Sequence, residues 1–189
     1  MREWLSDVPP EWEEADGWRE LVRRWLRTFG PGTEDDVVWW LGATKGIVRA
    51  ALAELEAVAV TLDSGATGWL LPDDIDETPD PGPWVALLPV LDPTVMGWKE
   101  RDLYLGAHRE QLFDRAGNAG TTAWVDGRIV GCWVQNDDGV VTVRLLEPVR
   151  AGVRQALDHE AQRLTAWLDG ERVNSLIRPP AMQAAPPAG

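Results

Sequence analysis

The sequence predicts an α+β chain in which a helical part precedes a stranded part, and three observations carry that expectation. Before residue 56 the apolar residues recur at helical spacing, whereas after residue 84 they fall in short runs separated by turn dipeptides. Between the two lie Asp73-Asp74-Ile75-Asp76-Glu77-Thr78-Pro79-Asp80 and Pro81-Gly82-Pro83, which read as an extended, solvated linker. The boundaries that follow are a first domain at 1–72, the linker at 73–83, a second domain at 84–170 and a flexible Pro/Ala-rich tail at 171–189.

The first helix carries Trp18, Leu21, Val22, Trp25, Leu26 and Phe29 on one stripe and Arg19, Arg23 and Arg27 on another face; Gly30-Pro31-Gly32 stops it. Thr33 is placed to cap a short second helix that ends at Gly42, with Glu34, Asp35 and Asp36 set against the positive end of its dipole. Thr44 is placed to cap a third, with Ile47, Val48, Ala51, Leu52 and Leu55 facing inward. Val58 to Leu62 and Trp69 to Leu71 flank a turn and form a hairpin. Three helices and a ribbon in this order predict a winged helix-turn-helix centred on residues 34–55. In the second part, residues 85–88, 121–125, 128–134 and 140–146 are predicted strands, with turns at Asp126-Gly127 and at Asn136-Asp137-Asp138-Gly139. That meander predicts a small antiparallel β-barrel. After Pro148, the stripe Val149, Val153, Leu157, Ala161, Leu164 and Leu168 predicts a C-terminal helix.

Composition excludes several classes. With 44% hydrophobic residues and 12 Trp in 189 residues, the chain can build a core, because each aromatic side chain buries about 150–250 Å². No stretch approaches ~18 consecutive apolar residues, so no membrane span or membrane partner is expected. Met1-Arg2-Glu3-Trp4-Leu5-Ser6-Asp7 lacks an apolar signal core, which predicts a cytoplasmic location. A single Cys132 forms no internal disulfide, and two distant His supply no zinc cage. His159-Glu160-Ala161-Gln162-Arg163 has Arg where a zinc-binding helix needs its second His. Gly117-Asn118-Ala119-Gly120-Thr121 lacks the Lys of a phosphate loop, and Pro79 takes the turn-glycine position of a calcium loop in the acidic run. No cofactor and no metal is expected. The net charge of −13 argues against a chain that coats DNA. It is unevenly spread, however: residues 31–80 hold 2 basic and 11 acidic groups, while 81–189 hold 11 and 13.

Leu21-Val22-Arg23-Arg24-Trp25-Leu26-Arg27-Thr28-Phe29-Gly30-Pro31-Gly32-Thr33, continuing through Val38-Trp39-Trp40-Leu41-Gly42, resembles the middle winged helix of the AlkZ/YcaQ-like proteins, a family of bacterial winged-helix DNA glycosylases. Leu87-Leu88-Pro89-Val90-Leu91-Asp92-Pro93-Thr94-Val95-Met96-Gly97-Trp98-Lys99-Glu100-Arg101-Asp102 resembles their LLPxxDxxxxGxxDR signature, with Glu100-Arg101 for the usual Asp-Arg. Val125-Asp126-Gly127-Arg128-Ile129-Val130-Gly131, followed by Trp133, resembles their barrel hairpin. The resemblance runs over roughly residues 1–170. It implies DNA repair, in which alkylated bases are released by hydrolysis of the N-glycosidic bond and a Gln-x-Gln or Gln-x-Asp motif positions the water. Family chains are about twice as long, so the catalytic motif is expected upstream of Met1. Gln111, Gln155, Gln162 and Gln183 have neither Gln nor Asp two residues on. Gln135-Asn136-Asp137 spells Gln-x-Asp but falls in a polar hairpin turn, so no catalytic residue is assigned.

For DNA contact the candidates are Arg23 and Arg27 in the first helix, Thr44, Lys45 and Arg49 in the third, and Trp98, Lys99 and Arg101 in the signature. Lys45 and Arg49 either enter the major groove or form the solvated face of an amphipathic helix. Lys99 and Arg101, oriented by Asp92, either meet phosphate or form an ion-paired rim. Trp39, Trp40 and Trp98 either stack on bases or close the core. The wing at 63–67 holds no Lys or Arg. Neutralising about four phosphates gives a log–log salt slope of about −3.6, which means weak binding. The expected partner is therefore double-stranded DNA, intact or damaged, bound weakly and without catalysis by this chain. The alternatives are a glycosylase, whole or completed by an N-terminal companion domain, and a self-associating protein-interaction module.

Overall fold

The structure, a computed structural model, describes residues 12–173 and 176–183. The expectation about residues 1–7 and the last tail residues, 184–189, fall outside these. The chain divides into two compact units between Glu77 and Thr78, inside the stretch expected to be a linker.

In the first unit the order is α1 (Glu14–Phe29), α2 (Glu34–Leu41), α3 (Lys45–Glu54), β1 (Val58–Thr61) and β2 (Thr67–Leu70). Of the stripe read from its periodicity, helix α1 buries Val22, Trp25, Leu26 and Phe29, while Trp18 is half-buried and Leu21 exposed. Its neighbour α2 starts in a capping box: the Thr33 hydroxyl accepts from the Asp36 amide, and the Asp36 carboxylate accepts from the Thr33 amide at 2.9 Å. Gly42 ends α2 in the left-handed region, φ 63°, where a side chain is strained. Thr44 caps α3 by accepting from the Ile47 amide, so the turn between the helices is closed at both ends. Strands β1 and β2 pair antiparallel, Val58 opposite Leu70. A two-bond bridge from Gly32 to Trp69 lays the α1–α2 connection beside β2. A Cβ on Gly32 would meet the Trp25 ring at 2.2 Å, so this close approach requires glycine.

The second unit is built on one antiparallel sheet in the order β3 (Val85–Leu88), β4 (Thr122–Val125), β5 (Arg128–Gln135) and β6 (Val141–Leu145). Asp126 and Gly127 turn β4 into β5 with φ values of 47° and 83°, the positive pair that a tight hairpin with native twist demands. Between β3 and β4 the chain makes α4 (Pro93–Met96), α5 (Asp102–Leu105), a 3₁₀ turn and α6 (Arg109–Leu112). These short helices cover one face of the sheet, burying Val95, Tyr104, Leu105 and Leu112 with Trp124, Ile129 and Cys132. On the other face α7 (Ala151–Leu168) buries Leu157 and Ala161 against Ala123, Val130, Trp133 and Val143.

Ile129 and Cys132 lie in one core and Val130 and Trp133 in the other, which strict alternation along β5 does not allow. The register explains it. Ala123 pairs with Gly131 and Trp124 with Ile129, so β5 carries one extra residue there, a bulge that resets the side-chain phase.

The expected barrel is corrected to an open sheet. β3 and β6 stay at opposite edges, four short strands being too few to curl into closure. Helix α7 instead packs against both edge strands and covers the face between them. Part of the expected tail is ordered: α8 (Pro180–Gln183) buries Ala181, and Arg144 donates to the carbonyls of Ala181 and Met182 at 3.1 and 2.9 Å. Among the described residues no helix is long and apolar enough to cross a membrane.

Candidate nucleic-acid interface

The first unit presents its cations already engaged. Arg23 donates to both oxygens of Glu20 at 2.7 and 2.8 Å, and Arg24 shares that carboxylate at 2.7 Å. The two guanidiniums hold the Glu20 carboxyl down at about 2. Arg27 pairs with Asp73 and lies near Asp74. Arg19 pairs with Asp16 and Glu54. On α3, Lys45 meets Asp35 at 2.7 Å and Arg49 meets Glu34 at 2.7 Å, both acids being in the first turn of α2. The same acids that suit the α2 dipole thus neutralise the outward face of α3. All six basic side chains described in this unit are ion-paired. Thr44 is spent on the α3 cap. Trp39 and Trp40 are partly exposed, but Trp40 also packs on Phe29, centroids 5.4 Å apart, and Phe29 on Trp25 at 5.7 Å. The pair therefore lies at the edge of the core.

The signature segment runs from the end of β3 through α4 to α5. Asp92 accepts from the Thr94 amide at 2.8 Å and caps α4. Trp98 is half-buried and tilts against Tyr104 at 5.6 Å, which in turn stacks on Trp124 at 5.4 Å. Lys99 is exposed. Arg101 is only 3% exposed; its Nε donates to the Trp98 carbonyl at 2.6 Å and its guanidinium lies 4.9 Å from the Phe113 ring centroid. Among the sequence candidates, then, the structure brings Trp98 and Arg101 together as a packed unit and sets Lys45 and Arg49 against the acids of α2.

Gln135 is fully used by backbone. Its amide donates to the carbonyls of Gly139 and Glu171, and its oxygen accepts from the Val173 amide, all at 2.9 Å. Arg172 donates to the Asp137 carbonyl at 3.0 Å. The Gln-x-Asp triplet staples its hairpin to the segment after α7. Cys132 is buried, and burial pushes its thiol up to about 11 against the opposing charge of Arg144. The native protein should accordingly resist an aromatic disulfide reagent at pH 8 that titrates the urea-unfolded chain at once; rapid labelling of the folded protein would contradict this burial.

Reasoning from sequence missed Arg109, Arg115 and Arg178. None has a carboxylate partner among the described residues, and all three line one open groove with Phe113 and Pro179. No local signal joins them, since they are spread over some seventy positions and one lies in the Pro-rich tail.

No curated protein matches the chain significantly. Among solved structures, the Streptomyces sahachiroi DNA glycosylase AlkZ superposes with a TM-score of 0.73 at 21% identity, covering 87% of this chain. The chain spans 47% of the length of that protein. The family model described as DNA glycosylase AlkZ-like matches residues 1–167, and with nearly the whole chain inside that match, this protein belongs to the AlkZ-like family.

Proposed function

We propose that this chain binds duplex DNA, with the first unit as a winged helix-turn-helix of AlkZ-like type, and that it performs no base excision by itself. The observation supporting this is the order α1–α2–α3–β1–β2, with the Gly32–Trp69 bridge, inside a family named for DNA glycosylases. The engaged glutamine of the only Gln-x-Asp triplet supports the non-catalytic part. Because every described cation of the first unit already has a carboxylate partner, phosphate must displace it, and binding is weak. Affinity for a random duplex should fall in the non-specific range of roughly 10⁻⁴–10⁻⁶ M near physiological salt and tighten as salt is removed. Fluorescence anisotropy with a labelled duplex tests this, and no binding to any duplex at low salt refutes it. Incubation with alkylated DNA should release no base, and release by this chain alone would overturn the non-catalytic part.

A second reading, in which the chain works as one part of a glycosylase, is favoured by its 47% coverage of the AlkZ structure. It requires base release when the chain is mixed with a winged-helix polypeptide bearing a Gln-x-Gln motif. The same mixture staying inactive would exclude that reading.

A further inference from the structure

We infer that the groove framed by Arg109, Arg115 and Arg178 is a phosphate-binding site that seats the backbone of duplex DNA on the second unit. This rests on the DNA-binding reading and adds to it the surface that makes the contact.

The first argument is electrostatic. A guanidinium bound to a carboxylate meets phosphate only by exchange, whereas one without such a partner gains the full charge-assisted bond. In the first unit every described cation falls in the former class. Arg109, Arg115 and Arg178 are exposed, have no carboxylate partner among the described residues, and converge on one groove. The net charge supports the contrast: residues 1–77 carry 7 basic and 17 acidic groups, and residues 78–189 carry 11 and 14. Two acids share the rim, Glu110 and Asp114. The Asp114 carboxylate is occupied by the amides of Ala116 and Asn118 at 2.9 Å and by the Asn118 side chain at 3.0 Å, so it binds its own turn.

The second argument is preorganisation. Arg109 lies over the Phe113 ring, 5.9 Å from its centroid, and the buried Arg101 holds the same ring. Arg115 stands in the turn that the Asp114 bonds close. Arg178 precedes Pro179, which is buried, and α8, which Arg144 ties down through two carbonyls. A Cβ on Gly120 would meet Met182 Sδ at 2.7 Å and Pro179 at 2.8 Å, so the segment carrying Arg178 lies tightly on the unit. The arginines thus bind from ordered backbone, which lowers the entropy lost on association.

The third argument is size. At about 1060 Å³ the groove is open and at the upper limit of the ~300–1,000 Å³ typical of enclosed small-molecule pockets. An open groove with fork-shaped donors along its rim suits a polymer of phosphates better than a single small ligand.

The test compares the full chain with Arg115→Gln/Arg178→Gln and, as a control for equal charge loss, Arg154→Gln/Arg163→Gln, two ion-paired arginines of α7. Anisotropy on a labelled duplex at low salt should show the first double variant weakened about tenfold or more, with its log–log salt slope shallower by about 1.8. The control should move affinity by less than about threefold. If the full chain binds duplex and Arg115→Gln/Arg178→Gln leaves affinity and slope unchanged, this site is wrong while the DNA-binding reading stands. If the full chain binds no duplex, both fail. Competition separates the sources of phosphate: unlabelled duplex should displace the probe at concentrations where inorganic phosphate does not. Equal displacement by inorganic phosphate would make this a small-anion site and overturn the duplex assignment.

Discussion

Replacing Trp124 by Ala should destabilise the second unit by about 3–5 kcal/mol, the range for deleting a buried Trp from a core that cannot fully collapse. Trp124 is 3% exposed and its indole N–H donates to the Thr122 hydroxyl at 2.9 Å. Its ring stacks on Tyr104, which donates to the Val95 carbonyl at 2.9 Å and contacts Trp98. One side chain on β4 therefore supports the whole segment from α4 to α5 that carries the family signature. Trp124→Phe keeps a stacked ring and should lose less than half as much. Urea unfolding curves measure both, and a cost below about 1 kcal/mol for the Ala variant would show that the signature segment is held by something else.

Gly131→Ala should cost about 3 kcal/mol, the upper end of ordinary overpacking, although it adds a single methyl group. The added Cβ would lie 2.1 Å from the Arg144 carbonyl oxygen and 3.0 Å from the Leu145 Cα, both backbone atoms of β6. No rotamer relieves that contact, so β5 and β6 must separate at Gly131. Gly152→Ala provides the opposite sign within the same unit. It lies in the first turn of α7 with no atom within 4 Å of the new Cβ, and it should be neutral or gain up to about 1 kcal/mol from helix propensity. Denaturant midpoints at unchanged slope would measure both variants. A Gly131→Ala protein as stable as the parent would mean that the approach of Gly131 to the Arg144 carbonyl is not the tight contact described.

The elements that local chemistry defines were legible in advance. Thr33, Thr44 and Gly42 mark helix ends through bonds and dihedrals that involve residues at most a few positions away. Asp126-Gly127 fixes its hairpin for the same reason. What depended on distant partners was not legible. The helix that covers the sheet between its edge strands, α7, begins more than sixty residues after β3, so a meander that suggests a barrel can end as a covered open sheet. The phase slip at Val130 is invisible in a strand whose residues are apolar on both faces. Charge misled most. Arg101 reads as a surface cation, yet the Trp98 carbonyl and the Phe113 ring enclose it. Lys45 and Arg49 read as either groove-facing or solvated, and neither alternative foresees Asp35 and Glu34 of α2 against them. Arg178 reads as part of a loose tail until Arg144 fastens the chain beyond it.

The Glu20 cluster sets a limit on how the molecule can respond to its surroundings. A carboxyl held at about 2, against an ordinary value of 4.5, contributes stability that is complete above 4.5 and fades only as the pH falls toward 2. Arg23 and Arg24 consequently keep their counter-charge through any mild acidification. Acid does not convert this helix face into a free cationic surface, and the cluster behaves as a fixed fitting and not as a proton-operated switch.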